Sequence, residues 1–194
     1  MNPVVLIHGL GDTSLLFRHM IPWLQRKGLQ AHALNLVPNN GDAGLDELAA
    51  QLADYIRAGF PPGQTIDLVG FSMGGLVARY YLQRLNGAER VERLITISSP
   101  HQGTWAAFVM RKPGVRQMRP GSEFLRDLNR DAAMLDRIRV TSIWTPFDLM
   151  IIPARSSEWA AGRSFRVNVA AHPLMVRDRR VLELVQQSLV EGVS

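Results

Sequence analysis

The sequence predicts an α/β fold, a mainly parallel sheet of about six strands with helices on both faces. Three observations predict it. Short, almost wholly apolar runs such as Val4–Ile7 alternate with longer segments whose apolar residues recur at helical spacing. The short runs lack the in-and-out alternation of a half-wet sheet, so they read as strands buried on both faces. One run, Ile66-Asp67-Leu68-Val69-Gly70-Phe71, passes through Ser72-Met73-Gly74-Gly75 directly into a helical pattern. A turn that tight demands small residues on either side of it. The 194 residues suit a single domain over 1–194 with a sizeable core.

Each element follows in order. Pro3–Ile7 is the first strand. His8-Gly9-Leu10-Gly11-Asp12-Thr13-Ser14 is a turn in which Thr13 or Ser14 can cap a helix carrying Phe17, Met20, Ile21 and Leu24, ended by Gly28. Gln30–Leu36 is the second strand, and Pro38-Asn39-Asn40-Gly41 a loop. Leu45, Leu48, Leu52, Tyr55 and Ile56 mark a helix that Gly59 and Pro61-Pro62-Gly63 stop. After the third strand, Leu76, Val77, Tyr80, Tyr81 and Leu85 mark the next helix. Val91–Ser98 is the fourth strand. Residues 105–136 break the rhythm and predict a small cap, with an apolar patch and a helix capped by Ser122. Ile138–Trp144 and Arg163–Val169 are the last strands. Val181, Leu182, Val185 and Leu189 mark the final helix.

Gly70-x-Ser72-x-Gly74 between strand and helix is the pattern of a nucleophile elbow. The turn lifts a serine hydroxyl above the carboxyl edge of the sheet, and the new helix offers unpaired N–H groups to a developing oxyanion. Serine needs a base, and the base needs an acid. His172, alone in the loop after the last strand, is the first candidate base, followed by His101 and His8; His19 and His32 fit surface or core positions. Asp148, in the apolar stretch Trp144–Pro153, is the first candidate acid, with Glu158 and Asp178 behind it.

The order Ser72, Asp148, His172 and the loops around these residues resemble α/β-hydrolases, in particular small bacterial triacylglycerol lipases and related esterases. His8-Gly9 is similar to their oxyanion loop, Ser98-Ser99-Pro100-His101-Gln102-Gly103-Thr104 to their turn after the fourth strand, and Phe147–Pro153 to their acid loop. The resemblance implies a minimal α/β-hydrolase fold that cleaves carboxylic esters without cofactor or metal. It also implies an oxyanion hole from the Leu10 and Met73 amides. His8, Gly9, Trp105, Phe108, Val109, Leu149 and Ile151 are the expected substrate contacts. Asp12, where these relatives frequently carry glycine, and Phe71, where histidine often precedes the serine, depart from the pattern.

Composition narrows the alternatives. Twenty-two Lys and Arg against 17 Asp and Glu give +5, nearly all from scattered arginine, with no basic block of the kind that binds nucleic acid. Arg111, Lys112, Arg116 and Arg119 form a modest cluster that suits a solvated face or passing contact with a lipid surface. The opening residues lack a basic flank and cleavage site, so the expected address is cytoplasmic. The absence of cysteine excludes disulfides and a thiol nucleophile. Gly9-Leu10-Gly11-Asp12-Thr13-Ser14 is a broken match to a dinucleotide-binding turn, lacking its third glycine and a ribose-binding acid. A hydrolase fold used only for ligand or partner binding is the other alternative.

Overall fold

Six parallel strands form one sheet in the order β2-β1-β3-β4-β5-β6. They are β1 (Val4–Ile7), β2 (Ala31–Ala33), β3 (Ile66–Phe71), β4 (Val91–Ile97), β5 (Arg139–Trp144) and β6 (Arg163–Arg166). The structure, a computed structural model, describes residues 1–159 and 162–191. The expected domain over 1–194 therefore includes five residues outside the described ones.

Alternate residues of each central strand enter different cores. Val5 and Ile7 of β1 pack with α2 (Leu45–Gly59) and α3 (Met73–Arg84), while Val4 and Leu6 pack with α1 (Met20–Arg26) and α6 (Arg179–Val190). Both cores are fully shielded from water at the sheet, which is why these strands carry no polar stripe. No described helix is long and apolar enough to cross a membrane.

Three expected elements differ in extent. The second and sixth strands pair over only Ala31–Ala33 and Arg163–Arg166, because both lie at sheet edges with one neighbour each. The first helix is broken: a single 3-10 turn at Ser14–Phe17 precedes α1, and Thr13 makes no capping bond. Pro22 explains the break, since its ring would clash with the carbonyl of residue 18 in a continuous helix and it has no N–H to give. With no helix N-terminus after Gly9-Leu10-Gly11, the dinucleotide-binding turn is missing its phosphate cradle.

Residues 105–136, the segment expected to form a cap, hold a 3-10 turn (Trp105–Phe108), α4 (Pro113–Gln117), α5 (Glu123–Arg130) and a second 3-10 turn (Ala132–Leu135). Ser122 caps α5 as expected, accepting the Leu125 N–H at 3.2 Å. The segment is tied down at many points. Gly114 N–H reaches Gly41 O at 3.0 Å, Gln117 accepts the Leu45 N–H, and Arg84 of α3 pairs with Asp127 and Asp131, both at 2.7 Å. Arg79, buried beside them, donates to Leu128 O and Asn129 Oδ1 at 3.0 Å. Burial without a carboxylate partner, aided by the charge of Arg84, lowers its pKa to about 9.

Candidate active site

The carboxyl ends of β1, β3, β4 and β5 and the loop after β6 meet at one edge, and Ser72 stands at its centre. Between β1 and β3 the strand order reverses direction, which opens a crevice at the strand ends. Ser72 has φ 53° and ψ −122°, outside the conformations a side chain ordinarily adopts. Its N–H donates to Ile97 O at 2.8 Å, anchoring the turn to β4. The flanking glycines are sterically required. A Cβ on Gly70 would lie 2.5 Å from Gly75 Cα, and one on Gly74 would strike the Ile7 and His8 carbonyls.

His172 sits on the ring of Phe71, the residue before Ser72, with centroids 4.7 Å apart. Its Nδ1 lies 2.6 Å from Asp148 Oδ2. An ionised carboxylate only accepts, so Nδ1 carries the proton and Nε2 keeps a free lone pair. The other Asp148 oxygen accepts the Met150 and Ile151 N–H groups, each at 2.9 Å. The chain past the strand thus wraps its own carboxylate, fixing both oxygens while the residue stays buried. The Leu10 and Met73 N–H groups have no acceptor among the described residues.

The family profile described as the alpha/beta hydrolase fold matches residues 2–137. The chain belongs to the α/β-hydrolase fold family. Human lysosomal thioesterase PPT2 is 31% identical over 110 residues, covering 54% of this chain and 35% of that protein. The triacylglycerol lipase of Burkholderia plantarii is 32% identical over 116 residues, covering 55% of this chain and 32% of that protein. The matched segment is thus about a third of the length of these curated relatives. Among solved structures, the mature lipase BlEst2 of Bacillus licheniformis superimposes with a TM-score of 0.79 at 17% identity, over 97% of this chain and 91% of that one. Aspergillus fumigatus lipase B gives 0.77 at 19% identity, over 98% of this chain and 52% of that one.

Within this α/β-hydrolase the remaining predicted residues fall into two groups. Trp105 and Phe108, stacked at 5.4 Å, are exposed, as are Val109 and Leu149. Phe147, Met150 and Ile152 join them. Their signal was present in the sequence as an apolar cluster around a turn with neither strand nor helix period. His8 and Ile151, in contrast, are buried and do not line the crevice as expected. His8 Nδ1 donates to Gly9 O at 2.9 Å and Nε2 accepts the Leu36 N–H at 3.0 Å, so the ring pins the second-strand loop. Burial lowers its pKa and keeps it neutral. Ile151 serves through its amide. Gly9 is also buried, and its place in the site is steric: a Cβ there would come within 3.1 Å of Ser72 Cβ.

The alternative bases and acids are engaged elsewhere. His101 is completely buried, 3.0 Å from Thr96 Oγ1 and edge-on to Trp159. Burial first, and the nearby Arg79 charge second, hold it well below the ordinary histidine pKa. Glu158 pairs with Arg155 at the surface, and Asp178 caps α6 by accepting the Arg180 N–H. A groove of about 940 Å³ runs along α5 and the segment before it and includes none of Ser72, Asp148 and His172. It is an open trough between packed helices, so volume alone is no guide to the chemistry.

Proposed function

We propose that this α/β-hydrolase cleaves carboxylic esters or thioesters through an acyl-enzyme formed on Ser72. The observation that carries the reading is the Asp148–His172 pair held against Phe71, one residue from a serine in a strained elbow. His172 Nε2 takes the Ser72 proton as the hydroxyl attacks the carbonyl. Asp148 keeps the ring oriented and stabilises the imidazolium. The Leu10 and Met73 amides receive the oxyanion, having no competing acceptor to give up. His172 then protonates the departing alcohol or thiol. Water, activated by the same ring, releases the acid.

The relatives named as a thioesterase and as a triacylglycerol lipase support an acyl substrate of either linkage. The exposed aromatic and aliphatic rim supplies an apolar surface for the acyl part. The attachment of the 105–136 segment to the acid loop favours a fixed cover over a hinged lid: the Trp105 N–H donates to Ile152 O at 2.8 Å, and the preceding Thr104 Oγ1 donates to Met150 O and accepts the Ile152 N–H, each at 2.9 Å. Hydrolysis is therefore expected to saturate below the substrate's solubility limit, with no jump when an emulsion forms.

A fluorophosphonate probe followed by peptide mapping tests the reading. Labelling at Ser72, lost in Ser72→Ala together with turnover of p-nitrophenyl esters, is the expected result. An unlabelled serine with undiminished turnover in Ser72→Ala sinks it.

A further inference from the structure

One carboxylate at the catalytic edge has no role in that mechanism. Asp12 Oδ2 and Ser72 Cβ each lie 3.1 Å from the position a Gly9 side chain would occupy, so they are no more than about 6 Å apart. The fold uses only the main chain of Asp12: its N–H donates to Gly9 O and its carbonyl accepts from Asn39. Its carboxylate has neither a hydrogen-bond donor nor a cation within bonding distance among the described residues. Asp67, Asp127, Asp148 and Asp178 all have such partners. Burial raises the Asp12 pKa. An unpartnered carboxylate in a half-buried place gives the fold nothing.

Asp12 lines a cleft of about 320 Å³ between the loop after β1 and the segment that follows His172. Thr13, Arg18, His19, Pro173 and Arg177 complete the part of the lining that matters here. His172 is next to the cleft in sequence through Pro173, and beside Leu15, Leu16 and Val176 the cleft carries one carboxylate, Asp12, and two arginines. The rim around Trp105, Phe108 and Leu149 is apolar. The two halves of a fatty ester of a polar alcohol differ in the same way, and the alcohol half is the one that must receive the histidine's proton on leaving.

We propose that this cleft is the leaving-group subsite, and that it selects alcohols or thiols bearing a hydrogen-bond donor near the scissile bond and an anionic group farther out. An ionised Asp12 accepts hydrogen bonds and gives none, so it favours a hydroxyl, amide N–H or ammonium beside the reacting bond and repels an anion there. Arg18 and Arg177, both exposed, line the same cleft, and Arg177 has no carboxylate partner among the described residues. At a liquid-water share of about 30 Å³ per molecule, the volume accommodates on the order of ten non-hydrogen atoms, the size of a glycerol phosphate head.

The inference rests on the hydrolase reading, and the experiment separates the two. Values of kcat/KM are measured for p-nitrophenyl octanoate, 1-octanoylglycerol and 1-octanoylglycerol 3-phosphate with wild type, Asp12→Ala, Arg177→Ala and Ser72→Ala. Within each variant the values are expressed as ratios, which cancel any loss of folded protein. Asp12→Ala is expected to lower the glycerol to p-nitrophenyl ratio at least tenfold. Arg177→Ala is expected to lower the phosphorylated to unphosphorylated ratio at least fivefold. Either ratio staying within twofold of wild type, while all turnover still depends on Ser72, overturns the subsite and leaves the hydrolase standing. Turnover independent of Ser72 removes both.

Discussion

The two ends of β3 are only a few residues apart and are built by opposite rules. At the amino end, buried Asp67 pairs with buried Arg93 at 3.1 Å and accepts from Asn2 at 3.2 Å. Glu92 joins the group, holding Asn2 at 2.7 Å, Arg93 at 3.0 Å and Arg139. Apart from Arg93 Nε, the charged side chains there find partners. At the carboxyl end, Ser72 and Ser98 both have positive φ, Asp12 is unpaired, and apolar side chains stand in water. One end holds the sheet together, while the other stores strain, unmet hydrogen bonds and exposed apolar surface. Those are the features that a substrate can satisfy. The contrast predicts that mutations at the two ends fail in different assays.

The largest expected effect tests the reactive end. Ser72→Ala should lower kcat by about 10⁴–10⁶, because members of a triad act as one unit. Its melting temperature should not fall, since no core volume or buried bond is removed. Asp148→Asn should cost roughly 10⁴ in kcat by leaving His172 in the wrong tautomer. Steady-state kinetics beside thermal melts check both, and a Ser72→Ala protein that keeps its turnover breaks the comparison.

The opposite end gives the reverse signature. Arg93→Ala strands Asp67 as an uncompensated buried charge, and removing one member of a buried pair costs roughly 3–5 kcal/mol. Urea unfolding should show that loss, while kcat per folded molecule stays within about twofold of wild type. A stable variant with crippled turnover would mean that the network serves the site rather than the sheet.

The same contrast explains what the sequence disclosed. The six strands and the elbow turn were readable because buried strands and an obligatory Gly-x-Ser-x-Gly turn leave local marks, and a charged residue in an apolar loop singled out Asp148, which the fold brings to 2.6 Å from His172. His8 was misread as a substrate contact because its sequence neighbours place it at the site, and only the long-range bond to the Leu36 amide reveals its structural use. Ile151 failed similarly: its side chain suggested a lining, yet its amide does the work. The break before α1 was missed, because the apolar spacing of Phe17, Met20, Ile21 and Leu24 outweighed the signal of Pro22. The cleft beside Asp12 was not, because its walls come from segments about 160 residues apart.

A smaller effect comes from pH. Burial holds neutral His8 and His101 below the ordinary value of 6.5. Their folded pKa values are depressed, so the unfolded chain binds more protons below about pH 6.5. Stability is therefore fully present above that pH and is lost as pH falls from it toward the folded values. Each histidine contributes a slope of up to about 1.4 kcal/mol per pH unit in that window. Urea titrations at pH 7.5, 6.5 and 5.5 should show the decline, with a shallower one in His101→Gln. A flat profile for wild type would remove the two rings as acid-sensitive pins.

The smallest effect separates function from stability at a single residue. Burial raises the folded pKa of Asp12 above its unfolded value. The sign is opposite to that of the histidines: the contribution is present below the unfolded pKa, about 3.9, and is lost as pH rises through the folded pKa. At neutral pH the ionised carboxylate therefore costs stability, and no partner in the fold recovers it. Asp12→Asn keeps the shape and removes the charge, so it should melt slightly above wild type at pH 7.5, with the gap closing as pH falls toward 3.9. The residue is then one that the fold would be better without and that only a bound substrate can justify. If Asp12→Asn melts below wild type at pH 7.5, the carboxylate has a structural partner in solution, and Asp12 belongs with the stabilising end of the molecule rather than the reactive one.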